Sequence, residues 1–154
     1  MKKIILYFLL CVSLIYFGNR LIAGELKITT DDPKYKKVYF AGGCFWCMEE
    51  SFDKVKGVIK SISGYSGGHL KNPKYEDVIY KDTGHVESIE ITYDPKKISY
   101  ENLLSVFWKN IDPFDRYGQF CDKGKSYRSV VFFVNNKQKK VIMDSIQNIE
   151  KKFE

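Results

Sequence analysis

The sequence predicts an α/β fold of the α+β kind: a ferredoxin-like sandwich with a mixed sheet, helices packed on it and a long irregular loop beside the candidate site. Three observations predict it. Segments rich in β-branched and aromatic residues alternate with segments of helical spacing in the order β-α-β-(α)-β-α-loop-β-α, so helices must cover at least one face of the sheet. The 154 residues are 44% hydrophobic, enough for one packed domain. Residues 111–127 carry Pro113, Gly118 and Gly124 and follow no period, and long irregular loops are often functional.

Each element follows from local pattern. Lys37-Val38-Tyr39-Phe40 is a short strand that ends in Ala41-Gly42-Gly43. Residues 45–56 have helical spacing, with Trp46, Phe52 and Val55 on one face, Met48 at its edge and Gly57 as the stop. Residues 58–65 form a strand around Val58, Ile62 and Tyr65. Ser66-Gly67-Gly68 and Asn72-Pro73 punctuate a loop, residues 75–80 form a short helix, and Lys81-Asp82-Thr83-Gly84 is a turn. In the strand 85–93, His85, Glu87, Ile89, Ile91 and Tyr93 alternate with Val86, Ser88, Glu90 and Thr92. Ser99 caps a helix over 100–110 whose apolar face holds Leu103, Leu104, Phe107 and Trp108. Residues 129–134 read as a buried strand. Residues 136–153 read as a charged helix with Val141, Ile142, Ile146 and Ile149 on one side. No internal repeat or low-complexity segment interrupts this order.

Charge and cysteine usage narrow the function classes. The formal charge is +6. Lys2, Lys3 and Arg20 fall in residues 1–23, which hold no acid; without them 22 bases face 19 acids, a balance of +3. That balance has no concentrated stripe, which argues against a nucleic-acid partner. Residues 1–23 have the anatomy of an export signal: a positive start, an apolar run over Ile4–Phe17, and small residues at Ala23 and Gly24. The expected organisation is a signal peptide or N-terminal anchor at 1–23, a polar linker at 24–36 and one domain at 37–154. The expected location is periplasmic or extracellular, with membrane attachment only through an uncleaved N-terminus. Export leaves Cys44, Cys47 and Cys121, an odd number that flags a reactive thiol rather than a disulfide scaffold.

The chemistry concentrates at Gly42-Gly43-Cys44-Phe45-Trp46-Cys47. A thiol at a helix start meets the positive end of the helix dipole, which favours the thiolate nucleophile. Phe45 and Trp46 can wall an apolar pocket, and Cys47 stands three residues away as a partner for a disulfide. The same spacing fits a zinc half-site, with His69, His85 or Cys121 as further ligands. It also fits a thioredoxin-type dithiol, or two buried structural cysteines. Glu87 shares a face with two isoleucines, so its pKa is expected to rise. Taken alone, Tyr75 and Tyr127 are equally core aromatics, Asp122 a turn residue, His85 structural, Arg128 the partner of a carboxylate, and Gly67-Gly68 a turn.

Gly-Gly-Cys-Phe-Trp at 42–46 resembles the signature of the peptide-methionine (S)-S-oxide reductases, the MsrA family. The resemblance continues through Gly64-Tyr65-Ser66-Gly67-Gly68, Asn72-Pro73-Lys74-Tyr75, Thr83-Gly84-His85-Val86-Glu87, Tyr93-Asp94-Pro95, Ile98-Ser99-Tyr100-Glu101, Phe107-Trp108, Asp112-Pro113 and residues 122–129. It implies a thiol-dependent enzyme that reduces methionine S-sulfoxide, protein-bound or free. In that scheme Cys44 is the nucleophile and Glu87 the acid. Tyr75 and Tyr127 bond the sulfoxide oxygen, Asp122 assists recycling, and Phe45 and Trp46 hold the methyl group. The sulfenic acid formed on Cys44 condenses with a resolving thiol, Cys47 or alternatively Cys121. A thioredoxin-like donor restores the dithiol, and no cofactor or metal is implied. The expected protein is a monomer. Relatives continue with segments beyond the position of Glu154, so a C-terminally shortened domain is expected. The rival readings are a disulfide-exchange carrier using Cys44 and Cys47, and an inactive shortened remnant.

Overall fold

The computed structural model describes residues 32–153. The expected signal at 1–23 and most of the linker therefore lie outside the described residues. Strand β1 (Lys36–Ala41) leads into helix α1 (Phe45–Asp53), then β2 (Val58–Ser66), the short helix α2 (Tyr75–Tyr80), β3 (Val86–Tyr93) and α3 (Tyr100–Lys109). The irregular segment that follows is organised by a small hairpin, β4 (Gly118–Gln119) with β5 (Asp122–Lys123), and a 3-10 turn at Lys125–Tyr127. Strand β6 (Val130–Phe132) and helix α4 (Asn136–Glu150) complete the order. Helix α1 stops short of the expected Lys56: Val55 N–H bonds the Phe52 carbonyl at 2.9 Å, and the chain turns through Gly57 onto β2.

The main sheet has the order β2-β3-β1-β6, the strand order of a ferredoxin-like sandwich. Its pairings are all antiparallel, so the expected mixed pairing is corrected. The physical reason lies in the crossovers. β1 and β2 share a direction because α1 carries the chain over the sheet between them, but β3 fits into the gap and pairs with both.

One face of this sheet carries the core. Val38 and Phe40 of β1 sit opposite Ile91 and Ile89 of β3. Met48 and Phe52 of α1 and Leu103, Leu104 and Phe107 of α3 close over them. The Phe40 ring lies 5.6 Å from that of Phe52 and 5.1 Å from that of Phe107. Each such buried side chain contributes about 1.5–3 kcal/mol of transfer free energy. Helix α4 extends this layer through Ile142, and Trp108 Nε1–H of α3 donates to Ser145 Oγ at 2.5 Å.

Strand β2 departs from its expected pattern. A register shift between Val58 and Lys60 leaves Ile59 as the extra residue, so Val58 and Ser61 share the helix-side face. Ile62 then falls on the opposite face and is exposed. Polar partners on α1 satisfy the inward serines: Ser63 N–H donates to Glu49 Oε2 at 2.9 Å, and Ser61 Oγ–H bonds the Asp53 carboxylate.

Candidate active site

The site forms where β1 hands the chain to α1. Ala41, Gly42 and Gly43 are buried. Gly43 has φ +85, and a Cβ added there would lie 2.6 Å from Gln119 Cβ. A Cβ on Gly42 would lie 2.8 Å from Ile111 Cγ2. The turn therefore needs both glycines, one for lack of space and one for its left-handed backbone as well. Cys44 follows as the N-cap residue of α1, half-buried, and its carbonyl accepts the Met48 amide at 3.1 Å.

An amide at the start of a helix has no intrahelical acceptor. The Phe45 N–H finds one in Glu87 Oε2 at 3.0 Å. Glu87 reaches it from β3, on the same face as Ile89 and Ile91, and is 2% exposed. Burial pushes its carboxyl above the usual range, against the pull of the Phe45 amide, and the negative charge of Asp122 adds to the rise. Direction and cause agree with the expectation from the strand pattern.

Phenols surround this carboxyl. Tyr65 lies directly across the β2–β3 register from Glu87, and its ring is 5.6 Å from that of Phe45. Tyr127, at the end of the 3-10 turn, has its hydroxyl held far above the usual range. Burial is the main cause, followed by the Glu87 charge and a hydrogen bond with Tyr75. Tyr75 opens α2 and is partly exposed. Tyr75 and Tyr127, far apart in sequence, thus meet beside Glu87.

The periodicity of α1 explains the other placements. Phe45, Met48 and Phe52, at i, i+3 and i+7, face the core. The expectation that Trp46 shares the core face with Phe52 and Val55 is corrected. Trp46 is 67% exposed, with its ring 5.3 Å from that of Phe45. It projects because Phe45 takes the inward position of the first turn. Cys44, Cys47 and Ser51 occupy the next stripe and line a cleft of about 380 Å³. Across it stand Phe120, Cys121 and Asp122 of the β4–β5 hairpin. All three thiols are free. The Cys47 thiol hydrogen-bonds Cys44, and this contact pushes it up, with burial and the charges of Cys44, Asp122 and Glu50 adding to the effect.

Other residues have bonding partners within the fold. His85 Nδ1 accepts the Gly68 amide at 3.2 Å, and its Nε2 meets the Leu70 carbonyl at 2.9 Å, so His85 clips the Gly67–Gly68 loop. Arg128 Nε–H donates to the Lys125 carbonyl at 2.9 Å, where a carboxylate partner was expected. The 3-10 turn brings that carbonyl within reach of the arginine's own side chain. Among the described residues no three His, Cys, Asp or Glu side chains converge as metal ligands. Sequence reasoning left two neighbours of the site without a role. Tyr65 is tied to Glu87 by strand register, which the sequence does not display. Gln119 packs on Gly43 from a loop without periodicity; Gly118-Gln119-Phe120 resembles one branch of the family, but nothing in that stretch marks the contact.

The arrangement combines a thiol nucleophile, a buried carboxyl able to hold a proton, and a phenol pair that can donate to a polar oxygen. The family model "Peptide methionine sulfoxide reductase" matches residues 36–154. The peptide methionine sulfoxide reductase MsrA of Streptococcus uberis is 45% identical over 115 residues, covering 75% of this chain and 68% of its own length. The MsrA of Bacillus licheniformis is 52% identical over 106 residues, covering 69% and 59%. The structure of methionine sulfoxide reductase A of Corynebacterium diphtheriae superposes with a TM-score of 0.71 at 25% identity, covering 80% of this chain and 61% of that one. The chain thus spans about three fifths to two thirds of the length of these relatives.

Proposed function

Because the chain belongs to the peptide methionine sulfoxide reductase family, we propose that it reduces the S epimer of methionine sulfoxide, free or in proteins, through its own thiols. The observation that carries this reading is the buried Glu87 carboxyl on the Phe45 amide, one residue from Cys44. A sulfoxide can be reduced by a thiol only if its oxygen leaves with a proton, and a carboxyl kept neutral by burial supplies one.

The step balances as follows. The Cys44 sulfur attacks the sulfoxide sulfur; the S–S bond so formed breaks again as the oxygen leaves the methionine sulfur and bonds to Cys44, which ends as a sulfenic acid. Methionine sulfur gains two electrons and Cys44 loses two. Glu87 delivers the proton, and the Tyr75 and Tyr127 hydroxyls bond the oxygen as its charge develops. Phe45 and the exposed Trp46 hold the methyl group. Cys47, whose thiol hydrogen-bonds Cys44, is the resolving thiol; it displaces water and closes a disulfide. Cys121, across the same cleft, is the alternative resolver. Asp122 beside it assists recycling. A thioredoxin-like dithiol returns the pair to its reduced state, with no metal or other cofactor.

The wider reading is an exported monomer. Residues 1–23 are its signal or anchor, 24–36 its linker and 37–154 its reductase domain. The Lys2-Lys3 start and the apolar run after it support the signal.

The test offers S and R epimers of a methionine sulfoxide peptide separately to the full chain with dithiothreitol. Reduction of S alone supports the proposal. A folded chain that reduces neither epimer, yet exchanges disulfides, would shift the assignment to a carrier; one that does neither is an inactive remnant. Cys44→Ser abolishes single-turnover reduction. Cys47→Ser retains it but loses most turnover with a thioredoxin-type donor; unimpaired turnover would pass the resolving role to Cys121.

A further inference from the structure

The hairpin that carries Asp122 has an unusual support. Gln119 is 1% exposed, though it lies in a segment where most side chains are exposed. Its side chain is fully engaged with backbone. Oε1 accepts the Asp112 amide at 2.6 Å, while Nε2–H donates to the Asp112 carbonyl at 2.8 Å and the Gly118 carbonyl at 2.7 Å. Its Cβ rests against Gly43, the residue before Cys44. One side chain thus joins three backbone segments: the loop that follows α3, the hairpin, and the turn that presents the nucleophile.

The turn it supports does not hold its shape through local preference. Gly118 pairs with Lys123 and Gln119 with Asp122, which leaves Phe120 and Cys121 as the two-residue turn. Phe120 has φ +48, in the left-handed region that side chains rarely enter, and is 66% exposed. Its largely exposed ring offers little packing to offset this, and the anchored Gln119 beside it supplies the support.

We propose that Gln119 is a positioning residue: it fastens the Gly118–Lys123 hairpin to the Gly42–Gly43 turn and so holds Asp122 within electrostatic reach of Glu87. This rests on the reading of Glu87 as the proton donor. The groups that face Glu87 come from every side. They are the Phe45 amide from α1, Tyr65 from β2, Tyr127 from the 3-10 turn with Tyr75 of α2 bonded to it, and Asp122 from the hairpin. Asp122 is the only carboxylate among these groups; burial is the main cause of the Glu87 rise, and the Asp122 charge adds the part that depends on where the hairpin sits.

The experiment compares the full-length wild type with Gln119→Met, Asp122→Asn and the double variant. Methionine keeps the Cβ and Cγ that pack on Gly43 and removes all three hydrogen bonds. Glu87 is titrated by carboxyl NMR, and single-turnover reduction of the S-sulfoxide peptide is followed across pH. In Gln119→Met, Glu87 titrates at lower pH and the alkaline limb of the rate profile moves with it. The rate at the alkaline end falls about three- to tenfold, part of what a positioned acid supplies. Asp122→Asn does the same, and the double variant goes no further. Exchange of the Gly124 amide, bonded to the Tyr117 carbonyl at 2.8 Å across the hairpin base, quickens in Gln119→Met. An unmoved Glu87 titration, a rate lowered equally at every pH, or additive effects would overturn the inference. So would loss of the cooperative melt in both Gln119→Met and Gln119→Leu, since the residue would then serve the fold alone. If the wild type reduces no sulfoxide, the functional reading fails, while the NMR titration still decides the position of Asp122.

Discussion

A carboxyl placed on an apolar strand face loses hydration, and Glu87 shows how a fold can use that loss. The folded-state pKa lies above its unfolded value near 4.3. Below the unfolded pKa both states are protonated and nothing is lost. As pH rises from there toward the folded pKa, the unfolded chain releases its proton first, so the folded state becomes progressively less favoured. The substitution Glu87→Gln removes this dependence and keeps an acceptor for the Phe45 amide. It is expected to lower single-turnover reduction about 100-fold or more. It is also expected to melt no lower than the wild type at neutral pH and to gain relative to it as pH rises from 4. Urea melts at several pH values check the sign. Alternation in 85–93 makes this burial legible in the sequence. The contact with Phe45 is not legible there, because 42 positions separate the two residues.

At the scale of elements, the start of α1 determines what the site can do. A three-residue turn of small residues delivers Cys44 to the helix N-terminus, and the i, i+3, i+7 stripe places Cys44, Cys47 and Ser51 on the cleft. The turn tolerates no side chain. Gly43→Ala forces φ +85 on a residue with a Cβ and drives that carbon into Gln119. The expected cost is about 1–3 kcal/mol, measured by urea denaturation, with a larger loss of turnover than of stability because the nucleophile is displaced. A stability loss with unchanged turnover per folded molecule would show that the turn serves folding alone. The helix existed in the sequence pattern, but its core-facing stripe did not. Trp46, Phe52 and Val55 satisfy helical spacing as well as Phe45, Met48 and Phe52 do. Only packing against Tyr65 and the sheet selects the second set.

For the whole molecule, one aromatic centre joins the layers. Phe40 is fully buried between the sheet, α1 and α3, within ring contact of Phe52 and Phe107. Phe40→Ala leaves a cavity where these layers meet and is expected to cost about 3–5 kcal/mol, a large share of the roughly 5–15 kcal/mol that a domain has. A thermal melt of the full chain checks this; a shift of only a degree or two would mean that the layers close over the gap. The strand order β2-β3-β1-β6 then accounts for the site as a whole. With β3 between β1 and β2, the Glu87 end of β3 lies beside the end of β1 that leads into Cys44 and opposite Tyr65 of β2.

By itself the sequence determined the alternating elements, the ferredoxin-like layering and the residues able to carry redox chemistry. These depend on local periodicity, on turn residues and on motifs whose members lie close along the chain. Only the tertiary structure decided the antiparallel pairing, the outward face of Ile62, the exposure of Trp46, the meeting of Tyr75 with Tyr127, and the place of Gln119 against Gly43. Each of these depends on which distant segments pack together. Free energy shared between segments many residues apart leaves no periodic mark in the sequence of either one.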